Sequence, residues 1–374
     1  MAMVTGLSGN EIYCLALKDY APGEVVVGNS VNSMGFLGGI ASGFRGVLGG
    51  EIEPISQAVE AGRQAAFDRM VGEARAAGAA GVTGVTGELR DFAGNTEFLF
   101  VGSAVMAGEG PCDQPFFSSA GSAQELYCNI DAGYRPISHV FGNVAYSIGV
   151  GGGIIGSLKT MVRGEITEYS DIFNHTRHLA LDRITAQARA CGANAVIGIE
   201  TRIMIWHGAH EMVMTGTAAH NPVLPAAPGG LPVTSDLTAE ELWAMTQLGV
   251  APIKLLIAAS VYSLGIAGGF KAMIKAFTQG EISDLTTLVH DARESAIGRL
   301  KREADALGAD DVVGVKTYIA EIGNGLIEFL AVGTAVRRQA GVAVTTQHLP
   351  AQAIIADRDT WIEDSLGFQL NRKS

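Results

Sequence analysis

Three groups of side chains in this sequence have types and spacings that could do chemistry. His175-x-x-His178 and His207-x-x-His210 carry imidazoles of the kind that hold a transition metal, and an i, i+3 spacing sets the first pair on one helix face. The stretch "GVGGGIIGSLKTMVRGE" (149–165) crowds glycines ahead of an apolar run and Lys159, as a phosphate cradle would. Arginines and glutamates return at fixed positions. One set is Arg63, Arg177 and Arg293, and a second is Arg69, Arg183 and Arg299. Glu51, Glu165 and Glu281 form a third, and Glu97, Glu211 and Glu328 a fourth.

These positions recur because the chain repeats itself three times. Glu11 opens "EIYC", Glu125 "ELYC" and Glu241 "ELWA", and Pro22, Pro136 and Pro252 follow. Next come "SMGFLGG", "SIGVGGG" and "SLGIAGG", then the pairs Gly50-Glu51, Gly164-Glu165 and Gly280-Glu281. "AGAAGVTGV", "CGANAVIGI" and "LGADDVVGV" stand at the same distance beyond each pair. The units are placed at 8–106, 122–219 and 238–337. Linkers 107–121 and 220–237 are rich in proline, glycine and serine, and a tail runs over 338–374. Its Trp361, Leu366 and Phe368 are expected to dock on the chain's own body or on a neighbour.

The elements that must position these residues follow from pattern. Each unit reads as a strand ending near the shared proline, a second strand into the glycine turn, a short apolar helix, a long amphipathic helix and two closing strands. In unit 2 the spacing of Ile172, Leu179, Ala180, Ile184, Ala188 and Cys191 predicts one apolar stripe. Gly192 fits a left-handed helix stop. The fold class is therefore α+β: three tandem β-β-α-β-β units, each a largely antiparallel sheet packed on a long helix.

Repetition also sorts the chemistry. A phosphate loop ends in Gly-Lys-Ser/Thr, which no copy has, and only unit 2 meets G-x-G-x-x-G, loosely and outside a parallel sheet. Residues 136–158 carry no formal charge with His139 neutral, but Pro136 and six glycines interrupt the run, so membrane contact is disfavoured. What all copies keep is the turn itself: Ser33, Gly35, Gly38 and Gly39; Ser147, Gly149, Gly152 and Gly153; Ser263, Gly265, Gly268 and Gly269. Its expected role is close packing against a neighbouring unit. The histidines do not recur: Ala61 and Gln64, then Asp291 and Glu294, stand where unit 2 has His175 and His178. Exposed or hydrogen-bonded histidines are the plainer reading of them, and a metal site in unit 2 the sharper one. The glutamates of the Gly-Glu pairs suit a helix start. Arg63, Arg177 and Arg293 fall on the apolar face, where a guanidinium needs a carboxylate from within the unit or across an interface, so structural ion pairs with Glu97, Glu211 and Glu328 are expected, with binding of an anionic ligand as the alternative. No serine triad or paired-carboxylate arrangement recurs.

Composition narrows the classes further. The net charge of −12 over 374 residues gives no basic footprint for nucleic acid. Four scattered cysteines make neither a disulfide framework nor a zinc finger, and the first residues show no secretory signal, so a cytoplasmic protein is expected.

The succession Ser-Φ-Gly, glycine-rich turn, Gly-Glu, long helix, "ARACGANAVIGIETR" or "ADALGADDVVGVKT", and closing "VGTAV" resembles the YbjQ family, whose label is heavy-metal binding. The resemblance covers nearly the whole chain three times over, and implies small α+β units assembling into fivefold rings. Three linked units depart from the single domain usual in that family. The expected function is that of a non-enzymatic, self-assembling protein needing no cofactor. Its homo-oligomer would be large, either stacked fivefold rings or a closed shell. The alternative is a heavy-metal-binding module, or one that takes an unidentified small ligand in a pocket between units.

Overall fold

The computed structural model describes residues 3–33, 50–92, 95–109, 115–147, 164–206, 209–224, 230–263, 283–323 and 326–350. Unit 1 contains α1 (Gly9–Ala16), β1 (Tyr20–Ser33), β2 (Gly50–Glu51), α2 (Glu53–Ala76), β3 (Gly81–Phe92) and β4 (Asn95–Ala107). The linker strand β5 (Phe117–Ser118) leads to unit 2, with α3 (Ala123–Asp131), β6 (Arg135–Ser147), β7 (Gly164–Glu165), α4 (Thr167–Ala190), β8 (Ala195–Trp206) and β9 (Ala209–His220). After β10 (Val233–Thr234), unit 3 has α5 (Ala239–Gln247), β11 (Val250–Ser263), α6 (Ser283–Leu307), β12 (Asp311–Gly323) and β13 (Leu326–Arg338).

The expected order β-β-α-β-β needs correction at its first element, which is a helix in every unit. Ser8, Ser122 and Thr238 each accept from the amide of a glutamate three residues on, and Glu11, Glu125 and Glu241 reach back to the cap amide. These reciprocal bonds satisfy donors that a helix start leaves open, so the S/T-x-x-E spacing starts a helix despite the apolar run after it. The long strand begins at the shared proline. The short apolar helix expected after the glycine turn lies outside the described residues, as do Gly35, Gly38, Gly39, Gly149, Gly152, Gly153, Gly265, Gly268 and Gly269.

The apolar stripe of α4 is also rotated from its expected position. Phe173, Ala180, Leu181, Ile184 and Ala188 are buried, whereas Cys191 is the exposed C-cap and Ile172 and Leu179 are only partly covered. The difference arises because α4 is covered on two sides, by its own sheet and by that of unit 3, so its buried face is wider than a single stripe. Gly142 marks where α4 crosses β6. A Cβ there would run into the Ala180 carbonyl and the Ile184 amide, and one at Gly28 into the Ala66 carbonyl and the Met70 amide.

Three sheets result, ordered β1-β4-β3-β5, β10-β8-β9-β6-β2 and β12-β13-β11-β7. Long neighbours are antiparallel, and β5 and β10 add in parallel at Gly81–Val82 and Ala195–Val196. The strands β2 and β7 leave their own units. β2 pairs with β6 of unit 2, and β7 with β11 of unit 3.

The opening helices of the three units gather around Asp131, which is fully buried. Lys18 of unit 1 donates to its Oδ1 at 2.7 Å, and Trp243 of unit 3 to its Oδ2 at 2.8 Å. Thr346 of the tail donates to Oδ2 through its hydroxyl at 2.8 Å. Burial by itself would raise this carboxyl's pKa, but the bonds from Lys18, Trp243 and Thr346 outweigh it and hold the group below the usual carboxylate range. Val342, Val344 and Leu349 of the tail pack on the same cluster, while Trp361, Leu366 and Phe368 lie outside the described residues. Asp131→Ala is expected to cost about 2 kcal/mol in urea unfolding, because Trp243 and Lys18 lose a charged acceptor. An unchanged midpoint would show that the three helices do not depend on this hub.

Candidate assembly interface

The long helices of units 1 and 2, α2 and α4, each lie between two sheets, their own and that of the next unit. The contacts across the two joints are nearly the same. Behind β2, the Ile52 amide donates to the Ala145 carbonyl at 2.7 Å, and behind β7 the Ile166 amide donates to Val261 at 2.8 Å. Ser56 Oγ accepts from the Ala145 amide at 2.9 Å, as Ser170 Oγ does from Val261 at 2.9 Å. In units 2 and 3 the sheet face opposite the unit's own helix is thereby covered. Phe141 and Ala145 of β6 join the core built on α2, and Ile257, Ala259 and Val261 of β11 join the one built on α4.

The recurring charges meet at these joints, between units. Arg63 of unit 1 donates to Glu211 of unit 2, with Nη2 3.1 Å from Oε1 and 3.2 Å from Oε2. Arg177 of unit 2 donates to Glu328 of unit 3, contacts the Met212 sulfur at 3.7 Å, and lies over the Phe173 ring. Both pairs are buried. The remaining members of these sets, Arg293 and Glu97, stand at opposite ends of the chain. Arg293 is exposed, and Glu97 is half-buried with a 3.3 Å bond from Asn29.

Of the glutamates in the Gly-Glu pairs, Glu281 lies outside the described residues. Glu51 and Glu165 have a different role from the helix-dipole one expected of them. They precede the helices, sit in β2 and β7, and face arginines of the following unit: Glu51 lies 2.6 Å from Arg183, and Glu165 lies 2.7 Å from Arg299. Arg183 also holds the Asn143 carbonyl, which ties the borrowed strand to the helix behind it. Ser33, Ser147 and Ser263 end the long strands, the last two directly opposite Gly50 and Gly164 of the borrowed strands.

His175 is exposed on α4, while His178 bonds the Asn174 carbonyl and stands 4.0 Å from Glu303. His210 stacks on Tyr146, and burial beside Arg177 pushes its pKa down. His207 lies outside the described residues. Among the described residues no three His, Cys, Asp or Glu side chains gather as a metal would require. Nor is any described helix long and apolar enough to cross a membrane.

One buried residue of the first joint escaped the pattern reading. His139 sits between units 1 and 2, its ring 5.7 Å from that of Phe67 and 5.6 Å from that of Phe100. Its counterpart in unit 3 is Leu255, so repetition gave it no signal.

The arrangement defines a class: a tandem α+β protein whose repeated units are joined by borrowed strands and buried ion pairs. The family model described as "Putative heavy-metal-binding", YbjQ, matches residues 17–108, 133–221 and 250–339, and the chain belongs to that family. An encapsulin nanocompartment protein of Mycobacterium tuberculosis is 29% identical over 59% of this chain and 86% of its own length. A UPF0145 protein of Clostridium novyi is 40% identical over 22% of this chain and 81% of its own length. One from Methanocella arvoryzae is 48% identical over 16% of this chain and 49% of its own. No solved structure matches the chain.

Proposed function

We propose that this is a non-enzymatic, self-assembling cytoplasmic protein whose copies build a large homo-oligomer of the compartment type. One observation carries the reading: the buried arginine–glutamate pairs lie in two equivalent joints between units. A chain that spends its buried charges on repeating one joint is organised for assembly. Likeness to the mycobacterial encapsulin nanocompartment protein supports the same reading, and the net charge of −12 argues against a nucleic-acid partner. Because consecutive units are lateral neighbours, a tube with one unit of each chain per tier loses its rationale. A ring or shell closed through the chain ends replaces it. Rings of five, which the family resemblance implies, would then take units from more than one chain.

A small-ligand role has one supporting feature. A cavity of about 360 Å³ opens between unit 1, unit 2 and the tail, lined by Lys18, Tyr20, Arg135 and Asn221 among others. Its volume suits a small molecule.

Light scattering and native mass spectrometry on the purified protein test the first reading. A particle several times the chain mass of 38.9 kDa is expected. A monodisperse species of one chain would overturn it, and a stoichiometric co-purified molecule would favour the ligand role.

A further inference from the structure

The two joints inside the chain leave one half of the same joint open at each end. The middle sheet has five strands because it receives β2 from the unit before and β10 from the linker after. Among the described residues, the first sheet lacks a strand beyond β1 and the third lacks one beyond β12. Burial shows the same asymmetry. Val27 and Val31 of β1 are 43% and 47% exposed, whereas their counterparts Phe141 and Ala145, and Ile257 and Val261, are 2% exposed or less. Asn29 is exposed where Asn143 and Ala259 are buried.

The opposite end is open in the complementary way. Val59 and Phe67 of α2, and Phe173 and Leu181 of α4, are buried under the following sheet. Val289 and Ile297 of α6 hold those positions half-covered, with Arg293 exposed between them. No carboxylate meets Arg293 or Arg69 among the described residues. Arg69 holds the Asn29 carbonyl as Arg183 holds that of Asn143, but without the carboxylate that Glu51 brings to Arg183 from the unit before.

We infer that unit 3 of one copy docks on unit 1 of a second copy through this same joint. Arg293 pairs with Glu97 of the next copy, and α6 covers Val27, Asn29 and Val31 of the next β1. The next copy's Met3–Val4 then lies along Asp311–Val312 of β12, the place that β5 and β10 take on β3 and β8. The N-terminal segment is already positioned for this: the Val25 amide donates to the Val4 carbonyl at 3.2 Å, while the Val4 side chain stands exposed. The occupant is a second copy because charge and shape at one end match those at the other. An edge strand fourteen residues long with exposed valines also needs a cover. The contact is head to tail, so copies add until the rotation closes, with units counted in threes. This rests on the self-assembly reading and supplies the surface and its polarity.

Charge reversal tests it. Arg293→Glu alone sets two carboxylates in the joint, and Glu97→Arg alone sets two guanidiniums there. Each single variant is expected to fall to a species of one chain, with a thermal melt showing the chain still folded, since the internal joints are untouched. The double variant restores opposite charges at every junction, whatever number of copies closes the particle, and should return to the wild-type particle size. If wild type assembles and the single variants assemble equally well, this surface is wrong while self-assembly stands. Loss without rescue in the double variant overturns the Arg293–Glu97 pairing. A wild type that is itself a single chain removes the reading beneath both.

Discussion

Arg177→Met is expected to destabilise the chain by about 3–5 kcal/mol, the cost of breaking a buried ion pair from one side. The Arg177 side chain is fully buried and Glu328 nearly so, at 0% and 4% exposure. Methionine fills much of the volume against Phe173 and Met212 but leaves the Glu328 carboxylate dry and without its partner. The joint between units 2 and 3 should open first, since the pair spans it. Arg177→Met/Glu328→Leu should recover most of the loss, because removing both charges also removes their desolvation cost. Arg293→Met is the internal control. Its guanidinium is exposed, so the free chain should lose less than about 0.5 kcal/mol. Urea unfolding of the three variants decides. Equal midpoints for Arg177→Met and wild type would mean that the pair does not hold the joint.

The second large effect is a loss of stability in acid that His139 causes. Its ring is 3% exposed among Phe67, Phe100 and Phe141, and neither nitrogen has a hydrogen-bond partner among the described residues. Burial, with Arg63 nearby, pushes its pKa down to about 3 from the ordinary 6.5. The folded ring therefore stays neutral, while the unfolded chain takes up a proton below pH 6.5. Stability tied to the neutral ring is complete above pH 6.5 and is lost as the pH falls toward 3. At pH 4 the loss is about 3 kcal/mol. His139→Leu places at the first joint what Leu255 places at the second, where it is fully buried. The variant should be at least as stable as wild type at pH 7, and its advantage should grow by about 3 kcal/mol on going to pH 4. Parallel stability curves for the two proteins would refute this.

The sequence by itself determined the threefold repetition, the long helix of each unit, the two closing antiparallel strands and the residue types that recur. Those are matters of local periodicity: apolar residues at helical or alternating spacing face a core whatever lies on its far side. It also contained the S/T-x-x-E caps of α1, α3 and α5, although the apolar runs beside them suggested strands. Only the tertiary structure decided which arginine meets which glutamate. Arg63 and Glu211 are 148 residues apart, and periodicity places both on apolar faces without saying whose carboxylate arrives. It likewise decided that Gly50–Glu51 and Gly164–Glu165 leave their units, and that α4 buries a face wider than one stripe. The physical reason is that a repeat carries both halves of its joint in every copy. Sequence identity among copies cannot distinguish a pair closed within a unit from the same pair closed between neighbours. That depends on rigid-body placement, which also leaves Arg293 and Glu97 apart at the two ends of the chain.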